Sequence, residues 1–152
     1  MKLSENFTLQ ALTASQKAQE LGLDNQPPKE HLPNLRRLAL GLERSRSLLR
    51  NELSISSAYR SPALNVAVGG VTHSAHARGL AADFVCPAFG TPLEVARALA
   101  ATDLQFDQII HEYGHWVHLA FADRFTLPRR QLLTICSTAQ GYEEGLLACV
   151  SR

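Results

Sequence analysis

Apolar residues recur along this chain first at helical spacing, then in alternation, and the change of rhythm marks out its elements. Leu9, Leu12, Ala18 and Leu21 fall at roughly helical spacing behind Thr8, a residue suited to capping a first turn. Gly22 stands where a left-handed terminal residue belongs, so one short docking helix is predicted here. Asp24-Asn25-Gln26-Pro27-Pro28 is polar and stiffened by proline, which pushes the preceding residue out of the helical region; it reads as a connection and not as a domain boundary. From about Pro33, Leu35, Leu38, Leu42 and Leu49 with intervening arginines and Glu43 describe an amphipathic helix, one stripe packed on a sheet and the other face wet. Leu53 to Ala58 alternates with period two and predicts a strand with Leu53, Ile55 and Ser57 on one face, delivering Tyr59 and Arg60 to its C-terminal end.

Ser61-Pro62 and Gly69-Gly70 bracket a long loop with about one helical turn, and a loop of that length inside a compact domain is usually functional. Leu80 to Cys86 reads as a strand. Thr91-Pro92-Leu93-Glu94 has the capping threonine, first-turn proline and first-turn acid of a helix start, and Val95 to Ala101 completes that helix. Phe106 to Glu112 forms a strand, Tyr113-Gly114-His115 turns the chain, and Trp116 to Phe121 returns antiparallel. After the polar Arg124 to Arg130 connection, Leu132 to Cys136 is a last strand; the tail from Ser137 carries only a weak signal. The fold class expected is α+β, a mostly antiparallel sheet with helices packed on it, and residues 1–152 are expected to form a single domain.

Composition changes this picture little but removes partners. With 152 residues, 45% apolar and 19% charged, the chain is long enough to bury a core. A formal charge of +1 supplies no basic field for nucleic acid, and the Arg44 to Arg50 run is the solvated face of a helix. Leu9 to Leu23 is too interrupted by polar residues to be a signal core or a membrane span, so the expectation is a chain with no export signal, cytoplasmic as synthesised. Cys86, Cys136 and Cys149 form no Cys-x-x-Cys pair. That argues against a zinc ribbon and a disulfide framework; buried free thiols are favoured, with a Cys136–Cys149 bridge as the alternative.

Two polar clusters interrupt the apolar pattern. The first, Ser74 to Asp83, places His76 and Asp83 on either side of Gly79, and the second, Glu112 to His118, holds a carboxylate and two histidines. A catalytic zinc ion takes three His, Asp or Glu ligands and keeps a fourth position open, and His76, Asp83 and His118 fit that type. Alternation puts Trp116, His118 and Ala120 on one face of the returning strand. Glu112, across the hairpin, is placed to act as a general base without being a ligand, with His115 the competing candidate. His31, His73 and His111 read as ordinary histidines. Asp83 has the alternatives of a strand-end cap or a partner of Arg78, yet an unpaired acid in that apolar run would be costly to bury. Arg60 has the alternative of an ion pair with Glu112 or Asp107.

Ser57 to Asn65, Gly69-Gly70, the Ser-x-His-x-x-Gly-x-Ala-x-Asp pattern at 74–83, and Glu112 with Trp116-Val117-His118 together resemble the zinc D-Ala-D-Ala carboxypeptidases and related peptidoglycan endopeptidases. Their superfamily includes the hedgehog signalling domain. The opening Leu-Ser-Glu-Asn-Phe-Thr-Leu and the Asp24 to Pro28 stretch resemble the small phage-associated branch. The resemblance implies Zn2+ held by His76, Asp83 and His118, a catalytic carboxylate at Glu112, and substrate-binding roles for Arg60 and Ser74. Such roles suit a guanidinium that can fork onto a carboxylate and a hydroxyl that can donate. Other branches place the acid three residues before the last ligand, where this chain has His115. The implied substrate is the peptidoglycan stem peptide, met by a monomer reaching the cell wall by a phage-type route. A zinc-stabilised binding module without turnover is the competing function. A zinc deaminase is the poorer one, because the Pro-Cys-x-x-Cys setting is absent.

Overall fold

A computed structural model describes residues 1–150, so the last two positions of the expected domain lie outside the described residues. Thr8 caps α1 (Leu9–Thr13) as expected, its Oγ1 accepting from Ala11 N, but the expected single helix is two. Ala14 is extended and the Ser15 hydroxyl accepts from Ala18 N, so a second cap restarts the chain as α2 (Gln16–Leu21), closed by left-handed Gly22. α3 (Leu32–Leu49) buries the leucine stripe read from the sequence, Leu35, Leu38, Leu42 and Leu49, along with Ala39. The chain continues through β1 (Ser54–Ser57), α4 (Pro62–Ala67), β2 (Ala81–Val85) and α5 (Pro92–Ala100). It ends in β3 (Gln108–Glu112), β4 (Trp116–Ala120), β5 (Gln131–Ile135) and β6 (Tyr142–Glu144). At the start of α5 the Thr91 and Glu94 side chains each bond the other's backbone N–H, the capping box that the Thr-Pro-x-Glu run predicts.

The six strands form one sheet in the order β1-β2-β4-β3-β5-β6, antiparallel at every pairing except β3 with β5, which is parallel. This is the α+β class expected. The parallel pairing arises because the chain crosses back after β4 and enters β5 beside the start of β3, where Arg130 N and Gln131 N donate to Phe106 O and Asp107 O. The Arg130 guanidinium fastens that crossing. It donates to the carbonyl of Ala100 at the end of α5 and to those of Thr102 and Leu104 just beyond it, and stacks 4.4 Å from the Phe106 ring centroid. β6 lies in the tail after Ser137, where no periodicity marks a strand.

The sheet has two unlike faces. One carries Ala82, Phe84, Ile109, Val117 and Leu119 into the core with Leu35, Leu38 and Leu42 of α3 and Val95 and Leu99 of α5. Each large apolar side chain fully buried there contributes roughly 1.5–3 kcal/mol of transfer free energy. The other face presents Asp83, His118, Ile110 and Glu112. On β1 the register shifts between Ile55 and Ser57: Ile55 pairs with Phe84, but Ser57 pairs with Asp83. That bulge corrects the simple alternation, since Ser57 leaves Ile55's face and joins the polar one.

Cys136 and Cys149 are joined in a disulfide, whereas Cys86 is free and buried. The free thiol expected of all three cysteines holds for Cys86, and for Cys136 and Cys149 the alternative, a bridge, replaces it. The reason is β6: by folding the tail back along β5 it brings together cysteines that are 13 residues apart in sequence. No helix among the described residues is long and apolar enough to cross a membrane.

Candidate active site

His76 opens a single 3-10 turn, His76–Arg78, that ends on Gly79 at φ 75°. A side chain at Gly79 would be strained by that backbone angle and would meet Leu35 Cγ at 3.0 Å. The turn is held to the end of β1 from both sides. Arg60 N donates to His76 O at 3.1 Å, and the His76 ring donates through Nδ1 to Ala58 O at 2.7 Å. With Nδ1 so occupied, Nε2 is the ring atom that faces Asp83 and, in the neutral ring, the one able to bind a metal, the usual arrangement by which a backbone carbonyl orients a metal-binding imidazole. Ser74, predicted to meet substrate, lines the cleft and accepts from His76 N at 3.2 Å, so it also helps to place the histidine.

Asp83 and His118 are paired directly across β2 and β4. His118 Nδ1 lies 3.0 Å and His76 Nε2 3.2 Å from the same Asp83 oxygen. The three residues are buried, with one potential ligand atom of each within 4.8 Å of the others. Ligand atoms about 2 Å from one tetrahedral ion lie about 3.3 Å from each other, so this donor set suits zinc, and it contains no cysteine of the kind that closes a structural site. Burial opposes ionisation of Asp83, but hydrogen bonds from His118 and His76, with their charge, hold its carboxyl well below the usual range.

Arg60 pairs with neither Glu112 nor Asp107. Its Nη2 lies 3.3 Å from the second Asp83 oxygen and its Nε donates to Ser57 Oγ at 3.1 Å. Arg78 pairs with Asp123 at 2.6 Å, not with Asp83, and Asp107 takes Arg129. Glu112 and Trp116 face each other across the hairpin, and Trp116 Nε1 donates to Glu112 Oε2 at 3.0 Å. The other oxygen, Oε1, stands 3.9 Å from His118 Nδ1. Desolvation, followed by the charge of Asp83, raises the Glu112 pKa above the ordinary glutamate value. A carboxylate in that state is a better proton acceptor than an exposed one.

Tyr113 and Gly114 both have positive φ, and His115 N donates to Glu112 O, which defines a tight type I′ turn. The turn leaves His115 exposed and outside the cleft lining, whereas Arg60, Ser74, His76, Asp83, Glu112 and His118 all line one cleft of about 560 Å³. Sequence reasoning missed three lining or supporting residues. Ser57 depends on the β1 bulge, Gln108 follows from strand alternation with Glu112, and Tyr142 sits in the tail, where nothing in the pattern marks it.

The polar clusters and the sheet that aligns them have a counterpart among known proteins. A family model described as peptidase M15 matches residues 5–120, and the chain belongs to that family. Members are zinc peptidases, which makes this chain a metallopeptidase whose His-Asp-His cluster is suited to hold the ion. Comparison with the curated proteins yields no match.

Proposed function

We propose that residues 1–152 act as a single zinc peptidase domain that hydrolyses an amide bond of the peptidoglycan stem peptide, as a D-Ala-D-Ala-type carboxypeptidase or as an endopeptidase. His76 Nε2, Asp83 and His118 Nδ1 hold the metal. Bound there, zinc supplies Lewis acidity toward the scissile carbonyl and lowers the pKa of a water to about 7.

The observation that carries the reading is the position of Glu112. Its carboxylate lies 3.9 Å from a ligand nitrogen, is raised in basicity by burial, and is aimed by Trp116. It takes the proton of the attacking water and returns it to the leaving amine. His115, exposed on the turn, is left out of the proton path. Arg60 uses two donors on Asp83 and Ser57, which fixes the guanidinium on the cleft lining and leaves its remaining N–H groups for a substrate carboxylate or carbonyl. Ser74, lining the same cleft, adds a hydroxyl donor.

A monomer reaching the cell wall by a phage-type release route fits this reading. The test is mass spectrometry of products from a defined muropeptide mixture treated with zinc-loaded protein. Released terminal D-alanine identifies a carboxypeptidase, and a split cross-link an endopeptidase. Saturable binding without any product would establish the non-catalytic module instead.

A further inference from the structure

The family match ends at residue 120, yet the cleft does not. Residues paired across a sheet share a face, and one such row runs Trp116, Glu112, Ile135, Tyr142 over four strands. Tyr142 therefore stands on the catalytic face, two strand spacings or about 10 Å of backbone from Glu112. It lines the cleft and is 56% exposed, so its ring is available to a ligand and adds little to the core.

β6, which presents it, is a three-residue edge strand with every residue exposed, an element that would fray if held by its ladder alone. The following residues fasten it. Gly145 N donates to Leu132 O, the Thr134 hydroxyl donates to Gly145 O, and Leu147 N donates to that same hydroxyl. Buried His111 donates through Nδ1 to Leu147 O at 2.9 Å. The Cys136–Cys149 disulfide then closes the loop. A side chain at Gly114 would come within 3.8 Å of Cys149 Cβ, so the bridge lies against the turn that carries Glu112 and Trp116.

We propose that Tyr142 is a specificity-determining residue of this cleft, contacting a bound stem peptide on the side beyond Glu112, and that the Cys136–Cys149 disulfide acts as a positioning element by holding it there. This rests on the peptidoglycan reading above. The ring supplies an apolar wall and the hydroxyl a donor to a peptide carbonyl, a combination that tyrosine brings to interfaces with little loss of rotamer freedom.

The test is calorimetric titration of zinc-loaded protein with a disaccharide pentapeptide ending in D-Ala-D-Ala. A Glu112→Gln background prevents turnover, and wild-type cleavage of the same compound is measured in parallel. Tyr142→Ala is expected to weaken binding roughly 3- to 10-fold, the range for losing one aromatic contact. Tyr142→Phe is expected to recover the part due to the ring. The Cys136→Ser/Cys149→Ser pair should weaken binding in the same direction and add nothing on top of Tyr142→Ala, a coupling that general destabilisation would not produce. Equal affinity for Tyr142→Ala overturns the Tyr142 assignment, and additive losses overturn the role of the disulfide. If wild type neither cleaves nor binds the compound, the peptidoglycan reading fails instead.

Discussion

Replacing Asp83 with asparagine keeps the side chain's shape and removes the charge around which the centre is built. One Asp83 oxygen faces His76 Nε2 and His118 Nδ1 and the other faces Arg60. An ion bound only by the folded chain stabilises it by RT ln(1 + [L]/Kd), about 4.1 kcal/mol when free zinc is 1,000 times Kd. If loss of the anionic ligand weakens zinc about 100-fold, the upper end for supporting groups, the same zinc concentration stabilises by only about 1.4 kcal/mol. The difference, about 2.7 kcal/mol, corresponds to roughly 5–11 °C for a chain of this size. The assay is the melting temperature of wild type and Asp83→Asn, each with and without zinc. The zinc-induced increment is the quantity compared, because the variant also leaves Arg60 without its carboxylate and lowers the baseline. Equal increments in the two proteins would refute the assignment of Asp83 as a ligand.

Trp116→Phe removes the bond to Glu112 and is expected to lower kcat about 10- to 100-fold at unchanged zinc content, the worth of a hydrogen bond to a charged group. Because that bond lowers the Glu112 pKa, its loss should also move the acid limb of the pH–rate profile upward. Gly79→Ala should cost at least about 1–2 kcal/mol in denaturant unfolding, the penalty of a left-handed L-residue, with the Leu35 contact added. Asp107 has its pKa depressed, first by the Arg129 hydrogen bond, so its contribution to stability is present above the unfolded aspartate value near 3.8 and fades as pH falls through the lower folded value. Asp107→Asn should therefore be less stable than wild type at pH 6, by under about 1 kcal/mol for so exposed a pair, and the gap should close below pH 4.

The clustering of His76, Asp83 and His118 is legible in the sequence because each is set by local chain geometry. Ser74 to Asp83 encodes a turn running into a strand, and alternation from Trp116 already turns His118 toward the site. Glu112 was legible for the same reason, since a hairpin must place it opposite Trp116. What escaped depends on contacts between distant segments. The bulge that swings Ser57 under Arg60 leaves no mark in an alternating Ser-Ile-Ser-Ser run, because serine is compatible with either face. His115 has the spacing of a catalytic base, but Tyr113 and Gly114 both turn left-handed and leave it in solvent. The tail reads as irregular because its order comes from Thr134, His111 and a disulfide, not from any periodicity of its own.

In the proposed reaction Glu112 moves the proton for a hydrolysis at the His76, Asp83 and His118 cluster. The kcat of Glu112→Gln on a cleaved muropeptide, compared with wild type at equal, measured zinc occupancy, reads that role alone. A loss of about 100- to 10,000-fold with zinc retained is the expected result. Turnover within a few-fold of wild type would mean that Glu112 is not the proton carrier.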